Sequence, residues 1–348
     1  MSAVLVAFGA YRQAHSGAER MAWRSAQHLA ARGHRVTVMT ESPPAPGLAT
    51  DTVGWSGSAP AGRPDVVHAF DLARPAPVLA AMRIAREADA LFALTPATDA
   101  ALWPDRHAGT AACRAADVIF VLTEAERVAV HRAGAPAERI VRVPQSADLA
   151  GRPDPAGFRR RWAGTGGIVL FLARRAAAKG YRRLLEASAA VWDRLPDTTF
   201  VLAGPDAGEE IPAGLLADAR IRDLGVLDEQ GKHDAIAACD LVCLPTTADV
   251  FPLLFVEAWS CGKPVVSGRF PGVEEVVRDG VDGVVVGQET GELATALVDL
   301  LRDAGRRAAL GAAGQVRVRA DFSWPRVAAQ IEFGYRRAGV SRHGVRGS

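Results

Sequence analysis

Short apolar runs rich in β-branched residues alternate along this chain with longer stretches rich in Ala, Arg and Glu. No other feature of the sequence constrains the fold as strongly. The first run is Val4 to Phe8, a helical stretch follows from about Gly17 to Ala31, and the run Val36 to Thr40 comes after a break at Gly33. Strand, helix and strand in this order indicate a parallel sheet. Each run is apolar almost throughout, as expected of strands that helices cover on both faces.

The alternation continues to the end of the chain, with one interruption. The other predicted strands of the first half are Val66 to Phe70, Ala90 to Thr95 and Val118 to Thr123. Gly, Pro, Asp and Arg then crowd together between Ala150 and Gly167, which favours a domain linker. After it the predicted strands are Ile168 to Ala173, Phe200 to Gly204, Leu241 to Pro245 and Val265 to Ser267, with helices near Tyr181 to Ala190 and Phe251 to Ser260. The pattern predicts an α/β protein with two Rossmann-like, doubly wound domains.

The chain length agrees with two domains. With 348 residues, the chain is longer than one hydrophobic core usually grows. We predict a first domain over residues 1–155 and a second over residues 156–323. The last helix, about Trp324 to Arg337, is amphipathic, and we expect a segment of about 324–340 to return to the first domain. Doubly wound sheets bind ligands at the carboxyl ends of their strands, so we expect the site in a cleft between two facing domains.

Charge and missing motifs exclude several classes of function. A formal net charge of +2 gives no field that would attract nucleic acid or an acidic membrane. The four cysteines lack metal-ligand spacing. No segment resembles a signal peptide or a membrane span, so we expect a cytoplasmic protein. The absence of a GxxxxGK[ST] loop, of GxGxxG after the first strand and of any Asp-x-Asp pair argues against an NTPase, a dinucleotide-dependent oxidoreductase and a metal-dependent transferase.

Lysine is scarce in this sequence. Lys179, Lys232 and Lys263 are its three lysines, beside 38 arginines. GC-rich coding would turn most surface lysines into arginine at little cost. A lysine that persists then marks a position that needs a compact ammonium, where a planar guanidinium does not fit. Lys232, in a stretch interpreted as a polar loop, receives no role from the sequence.

The most informative segment runs from Asp249 to Gly283. It begins Asp-Val-Phe-Pro-Leu-Leu-Phe-Val-Glu-Ala-Trp-Ser-Cys-Gly-Lys-Pro-Val-Val. A loop here enters an apolar helix that carries one carboxylate, Glu257, and burial of a carboxylate is costly unless it accepts hydrogen bonds. By itself the pattern fits a salt-bridged or partly exposed glutamate. The functional alternative is a carboxylate that binds the paired hydroxyls of a ribose.

This segment resembles the signature of family-four, retaining glycosyltransferases of the GT-B fold, which runs Glu-x7-Glu, then Gly-x-Pro-Val-Val, Gly-x-x-Glu and a late Gly. Further matches follow in the family's order from one end of the chain to the other. They are Ser16-Gly17-Ala18-Glu19-Arg20, Arg32-Gly33-His34-Arg35-Val36, Pro64-Asp65-Val66-Val67-His68, Arg174 to Gly180, and Phe322-Ser323-Trp324. The resemblance implies two facing Rossmann-like domains, with the acceptor bound by the first and the nucleotide sugar by the second.

The resemblance also implies roles for single residues. Arg174 and Lys179 would grip the donor's diphosphate, Asp249 would reach the hydroxyls of its sugar, and Glu257 would bind the ribose. The other donor-side candidates are Gly17, Phe251, Pro252, Leu253 and Leu254. Glycosyl transfer leaves negative charge on the departing nucleotide, and a transferase without a metal neutralises it with cations and helix N-termini. The alternative for the two basic residues is a solvated loop charge.

Three departures from the family pattern bear on the donor. Asp249 stands where the family has Glu, Pro252 removes an N–H from a Gly-Phe-Gly turn, and the stretch Leu94 to Asp99 lacks the histidine that the family places beside the transferred sugar. The missing histidine and Asp249 together favour a donor other than plain glucose, such as a deoxy or amino sugar. On the acceptor side, loop or strand-end positions make Tyr11, His15, His68 and Trp103 candidates, with a packed core histidine as the alternative for His68.

The sequence therefore predicts a retaining glycosyltransferase that needs no metal or other cofactor and uses a nucleotide sugar as co-substrate. In the mechanism favoured for the family, the leaving phosphate itself deprotonates the acceptor hydroxyl. The first domain carries no strongly basic amphipathic helix, so a soluble small-molecule or glycan acceptor is preferred to a membrane lipid. Two alternatives remain: a nucleotide-sugar 2-epimerase of the same architecture, and a non-catalytic protein that binds nucleotide sugars.

Overall fold

A computed structural model describes residues 2–9, 16–40, 53–56, 62–163, 165–208 and 213–346. The chain divides into two compact units. The first consists of the described residues of Met1–Gln145 and Ser323–Ser348, and the second is Ser146–Phe322.

Each unit is a parallel sheet with helices. The strands of the first unit are β1 Ala3–Ala7, β2 Arg35–Met39, β3 Val53–Ser56, β4 Val66–Phe70, β5 Leu91–Thr95, β6 Val118–Val121 and β7 Ile140–Arg142. Those of the second are β8 Ile168–Leu172, β9 Thr199–Ala203, β10 Ile221–Asp223, β11 Leu241–Leu244, β12 Val265–Gly268 and β13 Gly283–Val286. The helices of the first unit are α1 Gly17–Ala31, α2 Pro75–Glu87, α3 Arg106–Ala115, α4 Glu124–Arg132 and the C-terminal α12 Trp324–Arg346. Those of the second are α5 Pro155–Trp162, α6 Tyr181–Trp192, α7 Glu229–Ala238, α8 Leu253–Ser260, α9 Val273–Val276, α10 Thr290–Arg302 and α11 Ala304–Asp321.

Both sheets have the doubly wound strand order. The first runs β3-β2-β1-β4-β5-β6-β7 and the second β10-β9-β8-β11-β12-β13. All pairs are parallel; Val4 of β1, for example, lies opposite Val36 of β2 and Val66 of β4. The strand order reverses between β1 and β4 and between β8 and β11, which are the points where such sheets bind ligands. The predicted pair of doubly wound domains is confirmed.

Local sequence signals explain where individual helices begin and end. Helix α1 covers the predicted residues and ends before Gly33, whose φ of 92° suits a residue without a Cβ. At the start of α4, the Thr123 hydroxyl accepts a hydrogen bond from the Glu126 N–H at 3.1 Å, as the predicted cap requires. The strands β4 and β5 are buried along their whole length, in agreement with their apolar sequences.

The division between the units differs from the predicted boundary at residue 155. The first unit ends at Gln145, because the residues that follow already bind to helix α7 of the second unit. The ammonium of Lys232 donates to the carbonyl of Asp148, and His233 Nδ1 lies 2.8 Å from the carbonyl oxygen of Ala150. The cluster rich in Gly and Pro thus lies inside the second unit, where its residues flank and form helix α5. Helix α12 belongs to the first unit, where the sequence analysis placed it.

Candidate active site

Two loops meet at the carboxyl edge of the second sheet. One follows β8 and the other follows β11, and the carbonyl oxygen of Ala178 joins them by accepting hydrogen bonds from Thr246 Oγ1 and the Thr247 N–H, both at 2.8 Å. Gly180 makes the close approach feasible, since a Cβ there would lie 2.1 Å from the Pro245 carbonyl oxygen and its φ is 74°. These contacts place the predicted phosphate-binding residues between β8 and β11, where the strand order of this sheet reverses.

The structure brings Lys179 and Asp249 together across these loops. Lys179 Nζ lies 2.6 Å from Asp249 Oδ2, and the two side chains are 26% and 14% exposed. Arg174 is exposed, and no hydrogen bond or ion pair joins its guanidinium to any described residue. The site thus combines one accessible guanidinium with one ammonium that a carboxylate already pairs. Both cations are of the kind that stabilises a departing diphosphate.

The remaining donor-side candidates of the second unit lie in helix α8 or in the two residues that precede it. Pro252 precedes the helix as its N-cap, so the N–H groups of Leu253 and Leu254 are the first of the helix. The Phe251 ring is buried and packs edge-on against Phe322, with ring centroids 5.5 Å apart. The Phe251 side chain is therefore part of the core of this unit. The predicted sugar and phosphate contacts of these residues stay predictions.

Glu257 forms a buried ion pair with Lys232, a partner that the sequence did not reveal. Its Oε1 accepts a hydrogen bond from Lys232 Nζ at 2.8 Å, and the two side chains are 4% and 6% exposed. The interpretation of Lys232 as part of a polar loop was wrong, because it lies in helix α7 with its aliphatic stem in the core. The scarcity of lysine was the one sequence signal that singled it out. The salt-bridged interpretation of Glu257 describes this structure, and the ribose contact remains a prediction.

The first-unit candidates occupy different environments. Gly17 is the first residue of α1, where the preceding Ser16 makes no side-chain capping bond. Tyr11 and His15 lie outside the described residues. Trp103 is 6% exposed, and its Nε1 donates to the Thr98 carbonyl at 3.0 Å. The expectation that Trp103 lines an acceptor loop is corrected: the indole packs in the core of this unit.

His68 is also a core residue, which decides between the two alternatives left open for it. The side chain is fully buried on β4, with Nδ1 2.7 Å from the Tyr335 hydroxyl and Nε2 2.8 Å from Thr95 Oγ1. Burial lowers the pKa of His68 to about 3, so the imidazole is neutral at physiological pH. It does not face an acceptor.

A hydrogen-bond network at the carboxyl edge of the first sheet escaped the sequence analysis. Asp71 and Ala97, which follow β4 and β5, have left-handed φ values of 74° and 54°. Thr98 Oγ1 donates to Asp71 at 2.7 Å, and the buried Glu126 accepts from the N–H groups of Ala97 at 3.0 Å and Leu122 at 2.7 Å. Burial raises the pKa of Glu126 to about 8, although these two donors favour the charged carboxylate. The network fixes a loop that the local sequence would not hold in this conformation.

Comparisons with known proteins agree with the fold. Residues 166–303 match the family described as Glycosyl transferases group 1. The D-inositol 3-phosphate glycosyltransferase of Rhodococcus jostii is 34% identical over 235 residues, which are 63% of this chain and 52% of that protein. The GDP-mannose-dependent monoacylated alpha-(1-6)-phosphatidylinositol monomannoside mannosyltransferase of Corynebacterium glutamicum is 33% identical over 155 residues, 42% of this chain and 41% of that protein. The matched regions thus span about two fifths to one half of these relatives.

The structural likeness extends over nearly the whole chain. The crystal structure of Anabaena HepE in complex with UDP-glucose superimposes with a TM-score of 0.79 at 21% identity, covering 95% of this chain and 98% of that one. This similarity confirms the GT-B fold. No helix among the described residues is both long enough and apolar enough to cross a membrane.

Proposed function

We propose that the protein transfers a sugar from a nucleotide-sugar donor to a hydroxyl group of an acceptor, because residues 166–303 match the glycosyl transferases group 1 family. The observation that carries the proposal is the pair of cations, Arg174 and Lys179, on the loop that follows β8. They lie at the strand-order reversal of a doubly wound sheet, where ligands of this fold bind. The similarity to named transferases favours transfer over the epimerase and the non-catalytic alternative.

The second unit would bind the donor. Arg174 is exposed and Lys179 is partly exposed, so both can contact a diphosphate. The first N–H groups of α8 would add donors and a favourable helix dipole, worth about 0.3 to 1 kcal/mol. Glu257 would bind the ribose. Since two cations and a helix terminus can neutralise the departing charge, the proposed reaction needs no metal.

The reaction is proposed to retain the configuration of the transferred sugar. In this course the leaving phosphate oxygen takes the proton of the attacking hydroxyl on the same face of the sugar. Arg174 and Lys179 would stabilise the charge that develops on that phosphate. The acceptor would bind to the first unit, and a small-molecule or glycan hydroxyl is the proposed class. The protein is proposed to act in the cytoplasm.

The donor can be found by a binding screen. Candidate nucleotide sugars include GDP-mannose and UDP-glucose, which the names of the relatives supply, together with deoxy and amino sugar nucleotides. A bound donor raises the melting temperature by mass action, by an amount that depends on its concentration relative to Kd. Clearly faster turnover with UDP-glucose than with the deoxy and amino sugar nucleotides would contradict the prediction drawn from Asp249 and the missing histidine.

The assignment of the two cations is tested by Arg174→Ala and Lys179→Ala. Each substitution is expected to lower kcat for the identified donor about 30-fold to 1,000-fold, which corresponds to about 2 to 4 kcal/mol of transition-state stabilisation. Arg194→Ala and Lys263→Ala are matched controls, because these residues precede β9 and β12 and so lie toward the opposite edge of the same sheet. Near-normal turnover in both test variants would refute the assignment.

A further inference from the structure

The ammonium of Lys232 stands at the centre of a buried polar cluster in the second unit. Besides the 2.8 Å hydrogen bond to Glu257 Oε1, it donates to the carbonyl oxygen of Asp148 and lies 3.3 Å from Glu229 Oε2. An ammonium has three N–H donors, and three acceptors surround this one. The cluster joins helices α7 and α8 with the segment that opens the unit. Its geometry fixes one oxygen of the Glu257 carboxylate.

Stability alone does not explain why a carboxylate occupies this position. Helix α8 is buried from Leu253 to Trp259, and Glu257 is the single ionisable residue of that stretch. Desolvating two charges offsets most of their attraction, and well-packed apolar residues often replace a buried ion pair with no loss of stability. Apolar side chains in place of both Glu257 and Lys232 would therefore suit the unit at least as well. A carboxylate kept here, with its orientation fixed by a buried cation, points to a task that needs a charged acceptor.

We propose that Lys232 is a positioning residue, which orients the Glu257 carboxylate to accept hydrogen bonds from the ribose hydroxyls of the donor. The inference rests on the proposed function and adds a specificity determinant to it: the Lys232–Glu257 pair would make the protein prefer ribonucleotides to deoxyribonucleotides. In metal sites and designed sites, residues that hydrogen-bond to a ligand-binding group likewise fix the orientation of that group and tune its affinity.

The proposal also explains why lysine persists at position 232. Three acceptors converge on a single nitrogen there, and a compact ammonium can serve all of them. The planar guanidinium of arginine distributes its donors over a wider fork and needs more space than a side chain that is 6% exposed has available. A chain with 38 arginines and three lysines thus retains a lysine at this position.

The test is the ribose preference of the Lys232→Met variant. Equilibrium binding of UDP and GDP is compared with that of their 2′-deoxy and 3′-deoxy forms. A hydrogen bond to a charged group is worth enough to give the wild type a preference of about tenfold or more. Lys232→Met is expected to bind ribonucleotides nearly as weakly as deoxyribonucleotides, and Lys263→Met, which removes the same charge from the same unit, should keep the wild-type preference. With the identified donor, the KM of Lys232→Met should rise by a larger factor than its kcat falls.

Each outcome decides a separate point. If Lys232→Met weakens binding of both nucleotide classes equally and keeps the preference, Lys232 is only structural and the inference is overturned. A wild type that binds nucleoside diphosphates without a ribose preference also overturns it, while the proposed function stands. A wild type that binds no nucleotide overturns the proposed function itself. If Lys232→Met does not fold, Lys232→Gln supplies a neutral donor that is one bond shorter; the preference should fall at least about threefold, and an unchanged preference overturns the inference.

Discussion

Each carboxylate of the Asp249-x7-Glu257 pattern has a lysine partner, and the two pairs differ in accessibility. The side chains of the Lys179–Asp249 pair are 26% and 14% exposed, whereas those of Lys232–Glu257 are 6% and 4% exposed. A partly exposed ammonium can exchange a carboxylate for a phosphate at little desolvation cost, while a buried one cannot. The first pair is therefore suited to bind a ligand directly, and the second to hold a binding group in place.

His68 gives the stability of the protein a specific pH dependence. Its pKa is about 3 in the folded protein, because burial disfavours the imidazolium, against 6.5 for a free imidazole. Below pH 6.5 the unfolded chain therefore binds a proton that the folded chain does not. His68 lowers the free energy of unfolding as pH falls from 6.5 toward 3, by up to about 1.4 kcal/mol per pH unit.

Chemical denaturation between pH 7 and 4 measures this effect. His68→Gln removes the titrating group and keeps a hydrogen-bonding side chain, so its free energy of unfolding should fall less steeply with decreasing pH than that of the wild type. The exposed His107 supplies the matched control, and His107→Gln should retain the wild-type slope. Equal slopes for His68→Gln and the wild type would contradict this expectation, because they would show that His68 takes up its proton between pH 7 and 4 as readily in the folded protein as in the unfolded chain.

At the scale of elements, helix α11 packs closely on α8 because two glycines permit it. A Cβ on Gly311 would lie 1.9 Å from the Gly262 carbonyl oxygen, and one on Gly314 would lie 2.1 Å from the Trp259 ring. Arg317, further along α11, binds the fully buried Asp282 at 3.1 Å. Trp259 Nε1 donates to the Asp282 carbonyl at 2.7 Å. The back of α8 is thus fixed by backbone proximity and by one buried charge cluster.

Gly311→Ala is expected to destabilise the protein by about 1 to 3 kcal/mol, because the added methyl group meets backbone that cannot rotate away. Gly291→Ala in α10 is the matched control: apart from its chain neighbours and the backbone of its own helix, no atom lies within 4 Å of a Cβ there. In that open position alanine should be neutral or stabilise by up to about 1 kcal/mol through its higher helix propensity. Denaturant titration of both variants checks the pair, and the expectation fails if Gly311→Ala is as stable as Gly291→Ala.

The predicted elements were mostly correct, and the strands that escaped prediction share a position. β3 and β7 form the edges of the first sheet, and β10 and β13 those of the second. β7 and β10 have three residues each, and only the first residue of each is buried. β7 and β10 bury less surface than the central strands and have no continuous apolar run, so periodicity does not reveal them. β13 is mostly buried and was missed although its sequence, Gly-Val-Val-Val, is an apolar run. The central strands, most of whose residues are buried, were predicted within one or two residues.

At the scale of the whole molecule, helix α12 stabilises a unit from which it is remote in sequence. It packs against α1, β5 and β6, Tyr335 bonds His68, and Glu332 accepts from Arg32 Nε at 3.0 Å. Ile331 is completely buried. The stability of the first unit therefore depends on helix α12.

Ile331→Ala should lower the free energy of unfolding of the first unit by about 2 to 5 kcal/mol. Hydrogen exchange monitored by mass spectrometry should show faster exchange in β4 to β6, and unchanged exchange in β8 to β12. Phe333→Ala on the same helix is the control, since Phe333 is 56% exposed and should change stability by about 0.5 kcal/mol or less. Faster exchange confined to residues next to 331 in sequence would contradict this dependence.

The sequence by itself determined the two doubly wound sheets and the helix that carries Glu257. These features follow from periodicity and backbone conformation, which are local properties. The tertiary structure alone decided which charges meet: Lys179 and Asp249 are 70 residues apart, and Lys232 and Glu257 are 25 apart. It also placed His68 and Trp103 in the core instead of at an acceptor surface. Partner choice and burial depend on how separate elements pack, and no local pattern encodes that packing.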